Sequence, residues 1–426
     1  SGIWNLVQAR LSIGDSGTGT LKVLNGGTVI TGDTDLGYRT GGKGTLLVDG
    51  AGSTLSTAGM YVGRSGNGAM TIRNEGRVTT TEDTIIASGT GVVGAVEVSN
   101  NGRWDLINKT GQLPNLNIGY HGTGTLDINS NGSVTTGVMT LGSFEDGKGS
   151  ATVSGSGSVL TTTALRVSDY GEGELTIADS GVVYSNGNST IARSVTGTGT
   201  VTVSTGGEWE VLNGQQLLVG QAGSGTLNIN SAGKVIAGDT SIGLNADAQG
   251  RVTVDSEESK MTTGALVVGS TGTGNLSISN LAVVQSTGAS AIGLNGDSVG
   301  VVSVTENGQW NLTNASGSAQ TLVVGTGGNG TLNIASGGKV DAGDVSLARW
   351  EMATGKVDVK GEGSQLNTAE IIIAERGAGT LNISDAAEVN TSSTATIGDV
   401  EDSVGVVNVG TQGQWNVVSA GNSPQT

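Results

Sequence analysis

The stretch TGGNGTLNIASGGKVDAGDVSLA, residues 326–348, holds the pattern that decides the fold. Three short apolar runs, around Leu332–Ile334, Val340 and Val345–Leu347, are separated by corners rich in glycine. Apolar and polar residues alternate within these runs, and no stretch shows the three, four and seven spacing of an amphipathic helix. Such alternation is typical of short β-strands bounded by turns. The stretch therefore predicts three strands and three turns.

The whole chain of 426 residues repeats this unit. Four tryptophans spaced by 105, 101 and 105 residues mark the repeat: Trp104, Trp209, Trp310 and Trp415. The matching glycines divide the sequence into four blocks: 15–119, 120–220, 221–325 and 326–426. Each block contains units of 23, 26, 24 and then 32 or 28 residues. Units of this length with three strands fit the coils of a solenoid, so we expect residues 1–426 to form a single β-solenoid.

The first strand of each coil tests this arrangement. Its two inward positions are apolar, as in Leu21 and Val23 or in Leu332 and Ile334. The residue between them is polar in 15 of 16 coils, with Leu47 as the exception. A slip of one residue would turn every core side chain outward, so this pattern defines the register of the coils. The sequence predicts an all-β, right-handed parallel β-helix with three strands per coil and about 16 coils.

The composition excludes several classes of protein. The chain has 76 Gly but only 2 Pro and no Gly-X-Y period, which excludes collagen. With 35 % hydrophobic and 13 % charged residues it is too apolar for a disordered chain. A net charge of −17 disfavours nucleic acid as a partner. Since cysteine is absent, disulfides and cysteine-bound metals are excluded.

Four repeats carry a resemblance to a known family. They read GTGTLKVLNGGTV ending at Val29, GTGTLDINSNGSV ending at Val134, GSGTLNINSAGKV ending at Val235 and GNGTLNIASGGKV ending at Val340. These motifs, over the whole chain, resemble the passenger domains of Gram-negative autotransporters, in particular the self-associating adhesins. The resemblance implies type V secretion and a place on the bacterial cell surface, anchored to the outer membrane or secreted. The family's signal peptide and C-terminal membrane barrel are not in this sequence, which is expected to be a piece of a longer passenger that meets the membrane only through that barrel.

The sequence offers few residues for catalysis. His121 is the only histidine, so neither a Ser-His-Asp triad nor a histidine metal site can be assembled. Acidic residues fall in the longer corner loops: Glu145, Asp146, Asp297, Glu401 and Asp402. They fit solvated corners, with a cation or sugar site as the alternative. We therefore expect no catalytic residues, no metal and no cofactor, and we do not expect an enzyme.

The repeating tryptophans allow two interpretations. They can serve as a row of aromatic platforms for sugars, or they can belong to the core. Each occupies the position that holds a core valine in other coils. Another apolar residue follows two positions later, as Leu106 follows Trp104. The period of two therefore favours the core. Trp4 belongs to the same series, whereas Trp350 lies in the corner RWEMATG and is expected to be exposed.

Two outward faces are candidates for interaction. On the strand that ends each coil, seven of fifteen outward residues are apolar or aromatic, which is typical of an interface. The candidate contact residues of this face are Tyr61, Ile85, Leu218, Val267, Val323 and Ile372. The alternative is that longer loops fold over them.

The first-strand face carries a ladder of hydroxyls, amides and carboxylates. Its candidate residues are Asp127, Asn228, Asn333, Asp358, Asn382 and Asn408. Two such faces can interlock through many weak hydrogen bonds, which is the mechanism that the resemblance implies for self-association. The alternative is simple solvation.

The sequence thus predicts a non-enzymatic surface adhesin that promotes cell aggregation, biofilm formation or host attachment. Its partner would be a like passenger on a neighbouring cell, or a host surface protein or glycan. Two alternatives remain: an adhesive exoprotein of the two-partner secretion route, and a polysaccharide-processing β-helix enzyme.

Overall fold

The computed structural model describes residues 2–6 and 8–418, which form β-strands and turns without any helix. The chain divides into two compact units, one up to Gln215 and one from Gln216 onward. Each unit contains eight first strands, and in each the coils pair in parallel. The all-β parallel β-solenoid of about 16 coils predicted from the sequence, a right-handed β-helix, is confirmed. The division into four blocks stays a prediction.

Each coil begins with its first strand, which in most coils is also the longest of the three strands. In the first unit they are Thr18–Leu24, Lys43–Asp49, Asn67–Arg73, Val93–Ser99, Thr123–Asn129, Lys148–Ser154, Glu172–Ala178 and Thr198–Val203. In the second unit they are Ser224–Ile229, Gln249–Asp255, Thr273–Ser279, Val299–Val304, Asn329–Ala335, Thr354–Lys360, Ala378–Ser384 and Val404–Val409.

The second strands follow the first corner. In the first unit they are Ile3–Asn5, Thr28–Ile30, Thr54–Thr57, Arg77–Thr80, Arg103–Leu106, Val182–Ser185 and Glu208–Val211. In the second unit they are Lys234–Ile236, Lys260–Thr263, Val283–Ser286, Gln309–Leu312, Lys339–Asp341, Gln365–Thr368, Glu388–Thr391 and Gln414–Val417.

The third strands close each coil. In the first unit they are Leu11–Ile13, Thr34–Leu36, Met60–Val62, Thr84–Ile86, Leu116–Ile118 and Ser189–Ile191. In the second unit they are Leu217–Val219, Thr240–Ile242, Leu266–Val268, Ser290–Ile292, Leu322–Val324, Asp344–Leu347, Glu370–Ile373 and Ala395–Ile397. In two coils of the first unit the second and third strands merge, giving Ser133–Leu141 and Val159–Val167.

The strand register places like residues above one another. Leu21 pairs with Leu46, and Leu46 with Met70; in the second unit Leu332 pairs with Val357. Nearly all of these inward side chains are fully buried. Burial of stacked aliphatic side chains, at about 25 cal/mol per Å² of apolar surface, therefore stabilises the coils along their whole length.

Glycine serves two purposes in the coils. Gly14 adopts a φ of 74° at a corner, which is the left-handed region that glycine favours. Gly44 has no such angle, but a Cβ there would overlap the carbonyl oxygen of Ile13 in the coil before. Corners also tolerate other residues at positive φ, as Asn74 shows with 52°. Glycine inside the first strand is therefore required by close approach and not by the turn.

The tryptophan series lies in the core, as the period of two predicts. Trp104, Trp209 and Trp310 are fully buried. Trp415 is half-buried in the last described coil, and Trp4 is 46 % exposed in the first. Trp350 is 53 % exposed, which confirms the expectation for that corner. The rings of Trp104, Trp209 and Trp310 therefore fill the interior, whereas Trp350 presents its ring at a corner.

In the part of the chain that the structure describes, no helix has the length and apolar character needed to span a membrane.

Candidate functional site

The first-strand face presents its polar column in register. In the first unit Asp127 lies between Glu97 and Thr152 on neighbouring strands. Partial burial raises the pKa of Asp127, a hydrogen bond with Thr152 opposes this, and the nearby charge of Glu97 adds to it. In the second unit Asn228 pairs with Thr253. The column is thus a row of polar side chains, interrupted in the first unit by Leu47.

The second unit ties part of this row together by side-chain hydrogen bonds. Asn382 Nδ2 donates to Asp358 Oδ1 at 2.6 Å, and Asn408 Nδ2 donates to Asn382 Oδ1 at 2.7 Å. Lys356 Nζ lies 2.7 Å from the other oxygen of Asp358. Asn333 lies one coil before Asp358 and in register with it. These groups are therefore partly used within the molecule before any partner arrives.

A second asparagine ladder lies on the second strands, and sequence reasoning missed it. Asn367 Nδ2 donates to Asp341 Oδ1 at 2.6 Å, Asn390 Nδ2 to Asn367 Oδ1 at 2.9 Å, and Asn416 Nδ2 to Asn390 Oδ1 at 2.9 Å. The signal was present, since each of these residues follows an inward apolar residue at the same place in its coil. The ladder borders a groove of about 400 Å³ that also touches Thr368.

The proposed apolar face on the third strands is less exposed than its sequence suggests. Tyr61 and Ile85 are neighbours in register and half-buried. Leu218, Val267 and Ile372 are also half-buried, and small or polar residues separate them along the column.

Val323 requires a correction, because it is only 5 % exposed. It lies in register between Ala291 and Ser346, which are themselves buried, so this part of the face is covered. Asp35, an outward residue of the same column, is fully buried too. The outward direction of a side chain therefore does not ensure its exposure here.

Asp35 lies in a cluster of charges and rings in the first unit. Arg64 Nη1 is 3.2 Å from one of its oxygens, and Arg10 Nε is 3.2 Å from the other. Burial raises the pKa of Asp35 in spite of these two cations, because desolvation is the largest effect on this carboxyl. The Arg64 guanidinium also lies 4.6 Å from the centre of the Tyr61 ring and covers part of it. This arrangement fits a structural role.

His121 belongs to a second cluster at a corner of the first unit. Its Nδ1 lies 2.7 Å from Asp146 Oδ1, while Thr90 donates to Asp146 Oδ2 at 2.7 Å. These bonds lower the pKa of Asp146. Phe144 stacks on His121 with ring centres 4.3 Å apart, and Tyr120 meets Phe144 edge-on at 4.7 Å. The sequence placed Asp146 in a solvated loop and did not indicate these contacts.

The remaining acidic corner residues do not converge. Glu145, Asp297 and the pair Glu401 and Asp402 occupy three different corner loops, as their spacing predicted. Among the described residues, no group of three or more His, Cys, Asp or Glu side chains is placed to hold a metal ion. The candidate site is therefore the set of regular outer rows and not a pocket.

The fold and these rows define the class of the protein: a parallel β-solenoid with in-register polar side chains on its outer faces. No known family profile matches the sequence. The chain is 34 % identical over 403 residues to the uncharacterized lipoprotein YdeK of Escherichia coli strain K12. The match covers 94 % of this chain and 30 % of that protein. The chain thus spans less than a third of the length of this curated relative.

Among solved structures, the chain is similar to a TibC-catalysed, hyper-glycosylated TibA fragment. The TM-score is 0.45 and the identity 16 %, over 98 % of this chain and all of the other. A likeness at this level carries no argument on function.

Proposed function

We propose that this chain is part of a non-enzymatic bacterial surface adhesin of the autotransporter passenger type. Its in-register outer rows would associate with a like chain on a neighbouring cell and so promote aggregation and biofilm formation. The resemblance of its repeats to self-associating passengers supports this class. The lipoprotein name of the curated relative supports a place in the cell envelope, outer-membrane anchored or secreted.

The observation that carries the proposal is the polar column of the first strands. In the second unit Asn228, Ser277 and Asn333 lie two coils apart along the same register. Two copies of such a surface can match coil by coil. Each hydrogen bond contributes only about 0.5–1.5 kcal/mol, but several formed together between two tethered cells give a large avidity.

Bacterial settling with the chain displayed on a non-aggregating strain tests the proposal. Asn228→Arg and Asn333→Arg each place a positive charge at the same position of both associating chains. The two charges repel, so settling should slow markedly. Thr271→Arg adds the same charge at an exposed corner outside the column and should leave settling unchanged. If both column variants settle as fast as the unmodified chain, this face is not the adhesive surface.

A further inference from the structure

Trp350 differs from the tryptophans of the repeating series, because it lies in a corner and not on a second strand. Trp104, Trp209 and Trp310 are buried on second strands and their indole N–H groups are hydrogen-bonded. Trp350 lies in a corner after the third strand, is 53 % exposed and adjoins Met352, which is 91 % exposed. An exposed ring of this size is costly to keep in water. Its aromatic face is therefore a candidate contact surface for a ligand.

The indole of Trp350 packs against the backbone of a neighbouring corner. A Cβ built on Gly327 would lie 2.7 Å from Cε3 and 3.0 Å from Cζ3 of Trp350, so the ring packs directly on the glycine backbone. Any larger residue at this position would displace the ring. The ring borders a groove of about 370 Å³, within the range of small-ligand sites. The groove is lined by Gly296, Gly327, Trp350, Glu351, Met352 and Arg376.

Phe144 provides an internal comparison, since it lies three residues after Leu141 as Trp350 lies three residues after Leu347. The Phe144 ring is 39 % exposed, but it contacts the rings of His121 and Tyr120. Within the described residues Trp350 has no stacked ring or cation. Its outward surface is therefore available to a ligand.

Two charged side chains, Glu351 and Arg376, line the groove beside the ring. Glu351 and Arg376 are exposed and form no ion pair in the described part of the chain. A carboxylate accepts hydrogen bonds and a guanidinium donates them. Their position beside an indole suits a ligand with one apolar face and a rim of hydroxyl groups.

We propose that the Trp350 corner binds a pyranose ring of a neutral oligosaccharide, which stacks on the indole and bonds to Glu351 and Arg376 through its hydroxyls. A protein partner fits less well, because a stable interface buries about 800 Å² on each side and this apolar surface is one ring and one thioether. The site goes beyond self-association through the lateral rows, since neither needs the other.

Saturation-transfer NMR on the purified 426-residue chain tests the proposal, with lactose and maltose as pyranose probes and mannitol as an acyclic polyol. We expect transfer to the ring C–H protons of at least one pyranose and none to mannitol. Trp350→Ala should weaken binding at least tenfold. Tyr170→Ala removes another corner aromatic, 48 % exposed, and should leave binding unchanged.

Two further variants separate stacking from folding. Trp350→Tyr keeps an aromatic face and should retain binding within about threefold, whereas Gly327→Ala should displace the indole and weaken binding without changing the far-ultraviolet circular dichroism. Equal binding by the unmodified chain and Trp350→Ala, or no transfer to either pyranose, would overturn the proposal. Cells that display Trp350→Ala should settle as fast as cells with the unmodified chain, and Asn333→Arg should still bind sugar. The settling assay therefore tests self-association alone, and the NMR assay tests sugar binding alone.

Discussion

The indole Nε1 of Trp104 donates a 2.8 Å hydrogen bond to Oγ1 of Thr80, which ends the second strand one coil earlier. The same bond recurs in three other coils, always to a hydroxyl 24 residues before the tryptophan. The pairs are Trp209 with Ser185, Trp310 with Ser286 and Trp415 with Thr391. In each of these four coils a serine or threonine of the preceding coil therefore satisfies the indole N–H.

Thr80→Val should destabilise the first unit, because the Trp104 N–H then lies in the core without an acceptor. The expected loss is about 1–3 kcal/mol of unfolding free energy, measured as a lower midpoint in urea. Thr80→Ser keeps the hydroxyl and is the control. Equal midpoints for the valine and serine variants would contradict the importance of this bond.

Gly44→Ala should lower stability by about 1–3 kcal/mol or more, as overpacking does in a close-packed interior. The added Cβ would overlap the Ile13 carbonyl oxygen and force neighbouring coils apart. Gly17→Ala is the matched control, since nothing lies within 4 Å of its Cβ position and its φ is ordinary. Thermal unfolding followed by circular dichroism compares them, and a similar melting temperature for both would refute the close-approach argument.

Asn367→Ala should cost about 1 kcal/mol, because it removes the bond to Asp341 and the bond from Asn390. Asn367→Asp should cost more at pH 7, because it sets a second carboxylate beside Asp341, and this extra cost should shrink in acid, where the repulsion between carboxylates is lost.

Asn275, an exposed first-strand residue outside the ladder, supplies the control for both changes. Asn275→Ala and Asn275→Asp should leave the urea midpoint nearly unchanged. A pH-independent deficit in Asn367→Asp would argue against charge repulsion in the ladder.

Asp35→Asn should remove a decline in stability that the unmodified chain shows as the pH rises from about 4 to 7. Burial raises the pKa of Asp35 above its usual 3.8, so the folded state binds a proton more tightly than the unfolded state. This group's contribution to stability therefore falls as the pH rises from about 4 through the folded-state pKa. The asparagine variant removes that loss, and urea midpoints across the pH range measure it.

Asp255→Asn should show the opposite trend. Hydrogen bonds from Ser279 and Asn280 lower the pKa of Asp255, so its contribution is present above about pH 4 and is lost as the pH falls. The variant should therefore be less stable than the unmodified chain at pH 7, and the difference should shrink in acid. Parallel pH profiles for the Asp35 and Asp255 variants would show that the two environments do not differ as described.

Local periodicity was enough to predict the strands and their inward faces. Alternation placed Leu332, Ile334 and the repeating tryptophans inside, because neighbours in a strand point to opposite faces whatever the rest of the molecule does. The exposure of Trp350 followed from its position in a corner. Asn228 and Asn333 lie half-buried between inward positions of their strands, and their role in an interaction stays a prediction.

The contacts between coils were not predictable in the same way. Val323 and Asp35 point outward yet are buried, because their cover comes from residues of adjacent coils. The asparagine ladder from Asp341 to Asn416 and the pair of His121 with Asp146 likewise join residues 23 to 26 positions apart.

The sequence by itself therefore determined a parallel β-solenoid with about 16 coils and polar outer rows, since each coil repeats the same alternation and the same corner glycines. Only the tertiary structure decided which outward side chains are covered, which amides bond to one another, and that the Trp350 indole rests on Gly327 beside an open groove. The physical reason is that burial and hydrogen bonding depend on side chains brought together from neighbouring coils, whereas strand alternation depends on the local chain alone.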